Sequence, residues 1–203
     1  MSKKPLIVFE GIEGSGKSYH INNVAKYLTK TKKKFLRIRE PGGNKNSEKI
    51  RRLILNNKST FNKNTDLLLY LSARSENISL IKKNIGKKII LIDRFVDSTI
   101  AYQHYGLGVD LKMIKFMNNY LLRGIKVNFT FLNLVNNINM KKRLKIRKKL
   151  NRYDKFDNIF YRKVQSGFIK IYKQNPNKYL KIDSNKSIEQ NKEIIIKKIE
   201  NLI

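Results

Sequence analysis

Leu6-Ile7-Val8-Phe9-Glu10-Gly11-Ile12-Glu13-Gly14-Ser15-Gly16-Lys17-Ser18 is the stretch that decides the fold. Leu6–Phe9 is a short apolar run of the kind found in a buried strand. Residues 11–18 match G-x-x-x-x-G-K-[ST]. After them Ile21, Val24 and Leu28 recur at helical spacing. A glycine turn between strand and helix lets successive backbone N–H groups face a phosphate chain, and the helix N-terminus adds its positive pole. In that frame Lys17 is expected to bridge the β- and γ-phosphates, and the Ser18 hydroxyl to ligate Mg²⁺. The expected ATP loop is thus Gly11, Ile12, Glu13, Gly14, Ser15, Gly16, Lys17 and Ser18, with ATP and Mg²⁺ as the implied cofactors.

Working outward, Phe35–Ile38 is a second strand, ended by Pro41-Gly42-Gly43. Ser47–Leu55 (SEKIRRLIL) predicts a helix with Ser47 as its N-cap. Asp66–Ile81 predicts a longer, central helix, because it is apolar on more than one face. Lys88–Ile92, Val127–Leu132 and Tyr179–Ile182 supply three more strands. A basic helical stretch, Asn137–Lys149, precedes a segment around Asn151–Asp157 that is the candidate mobile piece. Short apolar strands alternating with helices imply a parallel sheet with helices on both faces. We therefore expect an α/β protein: a three-layer α/β/α arrangement with five parallel strands, one domain over residues 1–203 and a lid at about 141–157.

Length and composition narrow the function. The chain has 203 residues, the size of one domain, and no cysteine, which removes disulfides and thiolate chemistry. Two histidines, His20 and His104, are too few for a histidine-rich metal site. No apolar run approaches the ~20 residues of a membrane span, and Leu6–Phe9 is too short for a signal peptide. A cytoplasmic protein with no membrane partner is expected. The net charge of +30 suggests a nucleic-acid binder at first sight. However, lysine, asparagine and isoleucine, whose codons are A/T-rich, dominate the chain, while alanine appears three times. The lysines are also scattered over different elements, so genome bias explains them, and no specific nucleic-acid partner is expected.

The phosphate loop is shared by motors, GTPases, ATPases and kinases, so the second substrate must come from elsewhere. No guanine-reading N-K-x-D is present where a GTPase needs it. Four further pieces follow in order: Phe9-Glu10-Gly11-Ile12-Glu13-Gly14, Arg39-Glu40-Pro41-Gly42-Gly43, Ser72-Ala73-Arg74, and Asp93-Arg94-Phe95 with Ser98 and Ala101-Tyr102-Gln103. Together, from Leu6 to about Tyr172, they closely resemble bacterial thymidylate kinases, which phosphorylate dTMP with ATP. Asp93 and Arg94 sit at the carboxyl end of the third strand, where open α/β sheets bind ligands. Arg94 is a fork donor suited to a phosphate, and the resemblance gives it the acceptor monophosphate. Asp93 would help hold Mg²⁺ or its waters, and Glu10 is a further candidate for the metal shell or for backbone donors at the strand end.

The resemblance implies more. It places Glu13 on the sugar 3′-hydroxyl, pairs Arg74 with the thymine carbonyl and stacks Tyr70, one helical turn earlier, on the base. Ser98, Thr99, Tyr102 and Gln103 would line base and sugar, with Tyr102 filling the space of a ribose 2′-hydroxyl. Arg39 and Pro41 would shape the acceptor pocket. The loop has no arginine at positions 12–15, so positive charge over the transferring group is expected from Arg143, Arg147 and Arg152, with Arg147 and Arg152 favoured. Asn151 stands where relatives often carry aspartate. Family members are usually homodimers. A kinase of another pyrimidine nucleotide and a basic nucleic-acid-binding ATPase are the alternatives.

Overall fold

The computed structural model describes residues 4–147 and 150–203; Lys148 and Lys149, within the expected basic helix and lid, lie outside them. Five strands, β1 (Leu6–Glu10), β2 (Phe35–Arg39), β3 (Ile89–Asp93), β4 (Phe129–Leu134) and β5 (Tyr179–Asp183), form one sheet in the order β2-β3-β1-β4-β5. Every pairing is parallel. β2 and β3 lie on one side of β1 and β4 and β5 on the other, so the winding reverses at β1 and opens a crevice at the carboxyl ends. The register puts Phe9 and Arg39 both opposite Asp93, and Phe9 opposite Phe131. Glu10, Glu40, Asp93 and Arg94 therefore share one edge.

Side chains alternate across a strand, and the two cores divide by parity. Ile7, Phe9, Ile89, Leu91, Phe129 and Phe131 pack with Ile21, Val24 and Leu28 of α1 (Lys17–Lys30) and with Ile195 and Ile199 of α8 (Ile188–Leu202). On the other face Leu6, Val8, Ile90 and Ile92 pack with Ile81 of α3 (Lys63–Asn84) and with Phe95. The three central strands are buried on both faces, whereas the edge strands β2 and β5 are only partly covered.

Local differences have physical causes. The helix expected at Ser47 begins two residues earlier as α2 (Lys45–Leu55), because the Asn44 side chain caps it by accepting from Ser47 N–H at 2.8 Å. Ser47 Oγ instead bonds Gly42, fixing the turn before the helix. The fourth strand runs from Phe129, since Val127 packs into the cluster around Phe95 rather than pairing. The basic stretch is helical only over α6 (Asn137–Lys145) among the described residues. The expected mobile segment contains a 3₁₀ turn, Arg152–Lys155, with a capping box between Asn151 and Asp154.

After β3 the chain makes α4 (Val96–Thr99) and then a π-helical segment, Ile100–Gly106, which the hydrophobic pattern does not betray. It packs on α7 (Asn158–Gln174) through two notches. A Cβ on Gly106 would lie 2.6 Å from the Phe160 ring, and one on Gly167 would lie 2.5 Å from the Tyr105 ring. α5 (Leu111–Leu122) then packs against α3. The π-helical segment presents Tyr102 and Gln103 to the crevice, consistent with the frequent placement of such segments at functional sites.

Candidate functional site

A cavity of about 850 Å³ opens at the carboxyl edge of the sheet. Its lining brings together Glu13–Ser18, Pro41, Tyr70, Arg74, Asp93, Arg94, Ser98, Thr99, Tyr102, Gln103, Arg143 and Arg147. Gly11, Ile12, Glu10 and Arg152 do not line it. Gly11 adopts φ +136°, and a Cβ there would sit 2.2 Å from the Asn133 carbonyl oxygen. Only glycine lets the loop approach β4 so closely. Ile12 points the other way, into the core beside Met140 and Val164.

In the loop, Lys17 Nζ donates to the carbonyls of Gly11 (2.9 Å) and Ile12 (2.8 Å). Burial, with the Arg94 charge beside it, brings its pKa down to about 7. The Ser18 hydroxyl donates to Asp93 Oδ2 at 3.2 Å, so the two expected metal ligands are adjacent. Arg143 bridges the loop to the turn after β5: Nη1 donates to Gly14 O (2.8 Å) and Nη2 to Ser184 O (2.7 Å). Ser184 Oγ also donates to Ser15 O at 2.7 Å.

Arg94 organises the opposite side. Its φ of 66° lies in the left-handed region, an uncommon conformation for a residue with a side chain, and such positions gather at functional sites. The guanidinium donates to Gly11 O (2.8 Å), to Tyr102 Oη (3.2 Å) and to Glu13 Oε1 (2.9 Å). Burial opposes its charge, but Tyr102, Glu13 and Asp93 hold its pKa well above the ordinary value. Glu13 also accepts from the Tyr102 hydroxyl. Burial disfavours the Glu13 carboxylate, yet Arg94 and Lys17 outweigh it and the pKa falls.

Glu10 is placed differently from a metal ligand. One oxygen accepts from Phe95 N–H (2.8 Å) and Ser98 N–H (3.2 Å), the other from the Ser98 hydroxyl. It is fully buried, and burial with the nearby Asp97 raises its pKa to about 7. Of the two sequence alternatives, the geometry is that of a carboxylate satisfying backbone donors, which fixes the start of α4. Arg152 also departs from its favoured place over the loop. It ion-pairs with Asp66 on the first turn of α3 and lies over the Phe61 and Tyr153 rings. Arg147 lines the cavity while forked onto Asp154 at 2.7 and 2.9 Å.

Arg74 is 1% exposed. Its Nε donates to Glu40 Oε2 at 2.8 Å, its Nη1 to Asn118, and its guanidinium stands 5.1 Å from the Phe95 ring centre. Tyr70 lines the cavity and stands near-perpendicular to the Tyr153 ring, with centroids 6.0 Å apart. Arg39 forks onto Glu48 at 2.9 Å for both bonds. Sequence reasoning missed Arg51, whose Nη1 donates to Pro41 O at 2.6 Å, together with Tyr153 and Asp66. Arg51 had a signal: it lies one turn after Ser47, on the helix that starts beside Pro41. Tyr153 and Asp66 had none, since their meeting depends on how the segment after α6 folds back.

The thymidylate kinase family profile matches residues 9–195. The chain belongs to the thymidylate kinase family. It is 38% identical to the thymidylate kinase of Thermosipho africanus, covering 90% of this chain and 91% of that one. With the Kosmotoga olearia thymidylate kinase it shares 32% identity over 94% and 93%. The crystal structure of thymidylate kinase from Ehrlichia chaffeensis superposes with a TM-score of 0.79 at 30% identity, covering 97% of this chain and 99% of that one. The protein is thus an ATP-dependent nucleoside monophosphate kinase, a phosphotransferase of the P-loop fold.

Proposed function

We propose that the protein transfers the γ-phosphoryl group of ATP to dTMP, giving dTDP and ADP, with residues 1–203 acting as one kinase domain. One observation carries the site assignment. A single cavity is lined both by loop residues 13–18 and by Arg94, Tyr70, Arg74, Tyr102 and Gln103, which supports a donor and an acceptor meeting inside it. ATP lies along residues 11–18, with Lys17 released from the loop carbonyls onto phosphate oxygens. Arg143 and the Ser184 turn shape the donor end. Arg94 grips the acceptor phosphate, Glu13 and Tyr102 face the sugar, and Tyr70, Arg74, Thr99 and Gln103 face the base.

The adjacent Ser18 hydroxyl and Asp93 carboxylate fit a hard, oxygen-seeking cation. Bound there together with phosphate oxygens, Mg²⁺ would offset charge on the transferring group. The acceptor oxygen is already anionic near neutral pH, so no strong base is required. What the chain supplies is alignment and positive charge. Arg94 holds the attacking phosphate through a guanidinium that is already ordered by Glu13 and Tyr102. Arg147, at the cavity edge, exchanges Asp154 for the transferring phosphoryl group as segment 141–157 closes, and closure excludes water.

We also propose a homodimer. Leu68 on α3 and Met113, Phe116 and Tyr120 on α5 are large, exposed and on adjoining helices. The protein is assigned to the cytoplasm, where both nucleotides occur; among the described residues no helix is long and apolar enough to cross a membrane.

The test is ADP release with Mg·ATP across dTMP, dUMP, dCMP, UMP and thymidine. A preference for dTMP is expected. Turnover stimulated by DNA or RNA, with no response to any monophosphate, overturns the assignment.

A further inference from the structure

Two cavity-lining side chains carry a buried oxygen with no hydrogen-bond partner among the described residues: Thr99 Oγ1 and Gln103 Oε1. For Gln103 the other end of the amide explains why. Its Nε2 lies 3.2 Å from Asp66 Oδ2 and 3.2 Å from Tyr153 Oη. Asp66 in turn accepts from the Tyr153 hydroxyl and is ion-paired with Arg152. A carboxylate paired in this way offers only acceptors, and a tyrosine whose proton goes to Asp66 offers only its oxygen. Both neighbours of that amide end therefore demand a donor. The NH₂ group must face them, and the carbonyl must face away.

We propose that Asp66 is a positioning residue for base selection. By holding the Gln103 amide in one orientation, it leaves Oε1 as a fixed acceptor for the imide N–H of a thymine- or uracil-type ring. The unprotonated ring nitrogen of cytosine is itself an acceptor and is refused at the same point. This rests on the cavity being a pyrimidine monophosphate site. The two ends of a glutamine amide have nearly the same shape, so packing alone does not choose between them; the charge of Asp66 does. Asp66 also lies one helical turn before Tyr70 on α3, so the residue facing the base and the residue orienting the amide come from one helix face. The place of Arg152 follows as well: it neutralises Asp66 rather than reaching the phosphate loop.

The experiment compares kcat/KM for dTMP, dUMP and dCMP in the wild-type chain, Asp66→Asn and Asp66→Glu. Asparagine can donate to a flipped Gln103, so Asp66→Asn should raise the dCMP:dTMP ratio at least about tenfold, on the scale by which unpaired buried polar groups reject a ligand. Asp66→Glu, which still only accepts, should keep the wild-type ratio. Equal losses on both substrates in Asp66→Asn, with the ratio unchanged, would overturn the proposal while leaving the kinase assignment standing. A wild-type chain that phosphorylates no pyrimidine monophosphate removes the assignment and this inference together. If Asp66→Asn does not fold, ¹⁵N-glutamine-labelled wild-type protein serves instead. The Gln103 NH₂ protons should exchange slowly with water both with and without dTMP. Fast exchange before dTMP is added would mean the amide was not held, and would refute the role of Asp66.

Discussion

The Glu40–Arg74 pair offers a quantitative test of how the acceptor end is built. Both side chains are nearly inaccessible, at 4% and 2%, with Nε and Oε2 2.8 Å apart. Asn77 and Asn118 complete the surroundings, and burial still raises the Glu40 pKa against the pull of Arg74. Taking one member away strands a charge in the interior, which costs about 3–5 kcal/mol, whereas replacing both with apolar side chains of similar size is often neutral. Glu40→Leu and Arg74→Met should therefore each lose about 3–5 kcal/mol. The double variant should lose at least about 2 kcal/mol less than the sum, the signature of contacting residues. Against a total stability of about 5–15 kcal/mol the single losses are large. At about 2–4 °C per kcal/mol for a chain of this size, each single variant should melt roughly 6–20 °C lower.

Urea unfolding of the four proteins, followed by circular dichroism, measures this cycle. Additive losses, or single losses under about 1 kcal/mol, would show that water or a rearranged neighbour reaches the pair and would refute the reasoning. The same variants separate structure from recognition. The double variant should regain stability relative to the single variants yet remain impaired on dTMP, the outcome expected from the proposed role of the Arg74 guanidinium at the base.

Further outcomes are expected. Gly167→Ala puts a methyl group 2.5 Å from the Tyr105 ring, so unfolding free energy should fall by about 1–3 kcal/mol, and the dTMP KM should rise as the Tyr102–Gln103 segment is pushed. Arg143→Ala frees the Gly14 and Ser184 carbonyls, so steady-state kinetics should show an ATP KM about tenfold higher, equivalent to ~1.4 kcal/mol, with the dTMP KM little changed. Arg147→Ala should lower kcat by about 10² if it meets the transferring group, while Arg152→Ala should act first on thermal stability. Glu10 and Asp97 have folded pKa values raised to about 7 and about 6, from 4.5 and 3.8. Groups raised in this way bind protons more tightly when folded. Their stabilisation is complete below about pH 4 and is lost as pH rises through 6 to 7. Asp97→Asn should therefore flatten the fall in urea midpoint between pH 5 and 7.5 relative to wild type.

The sheet was legible because a strand buried on both faces leaves a bare apolar run, as at Leu6–Phe9 and Ile89–Ile92. The phosphate loop was legible because its backbone conformation demands glycine at fixed places, including Gly11 against β4. Arg94 and Asp93 could be placed at the cavity from sequence because they end a strand, and the carboxyl ends of such sheets face the crevice. What escaped depends on long-range meetings. Asp66 and Arg152 are 86 positions apart and meet only once the segment after α6 returns over α3. Glu10 had two readings at the sequence level, and what separates them is the pair of N–H groups of α4, whose direction follows from the left-handed turn at Arg94. The π-helical segment gave no periodic signal, since an added residue per turn merely smears an amphipathic pattern.

The two signs of charge are distributed differently in the fold. Among the described residues Lys17 is the only buried lysine and Arg74 the only buried arginine. The acids behave in the opposite way. Only fifteen are present in the chain, yet Glu10, Glu13, Glu40, Asp66, Asp93 and Asp97 all lie at or just behind the cavity at the phosphate loop. A genome drifting toward lysine codons can replace exposed residues at little cost, because a solvated side chain interacts weakly with its neighbours. It cannot replace an acid that orders Arg94, neutralises Arg74 or orients Gln103 without stranding a buried donor or cation. The surviving carboxylates thus outline the site more sharply than the abundant lysines do. Beside those acids the cations Lys17, Arg94, Arg143 and Arg147 line the same cavity, so both signs of charge are concentrated where a nucleotide phosphate chain would need them.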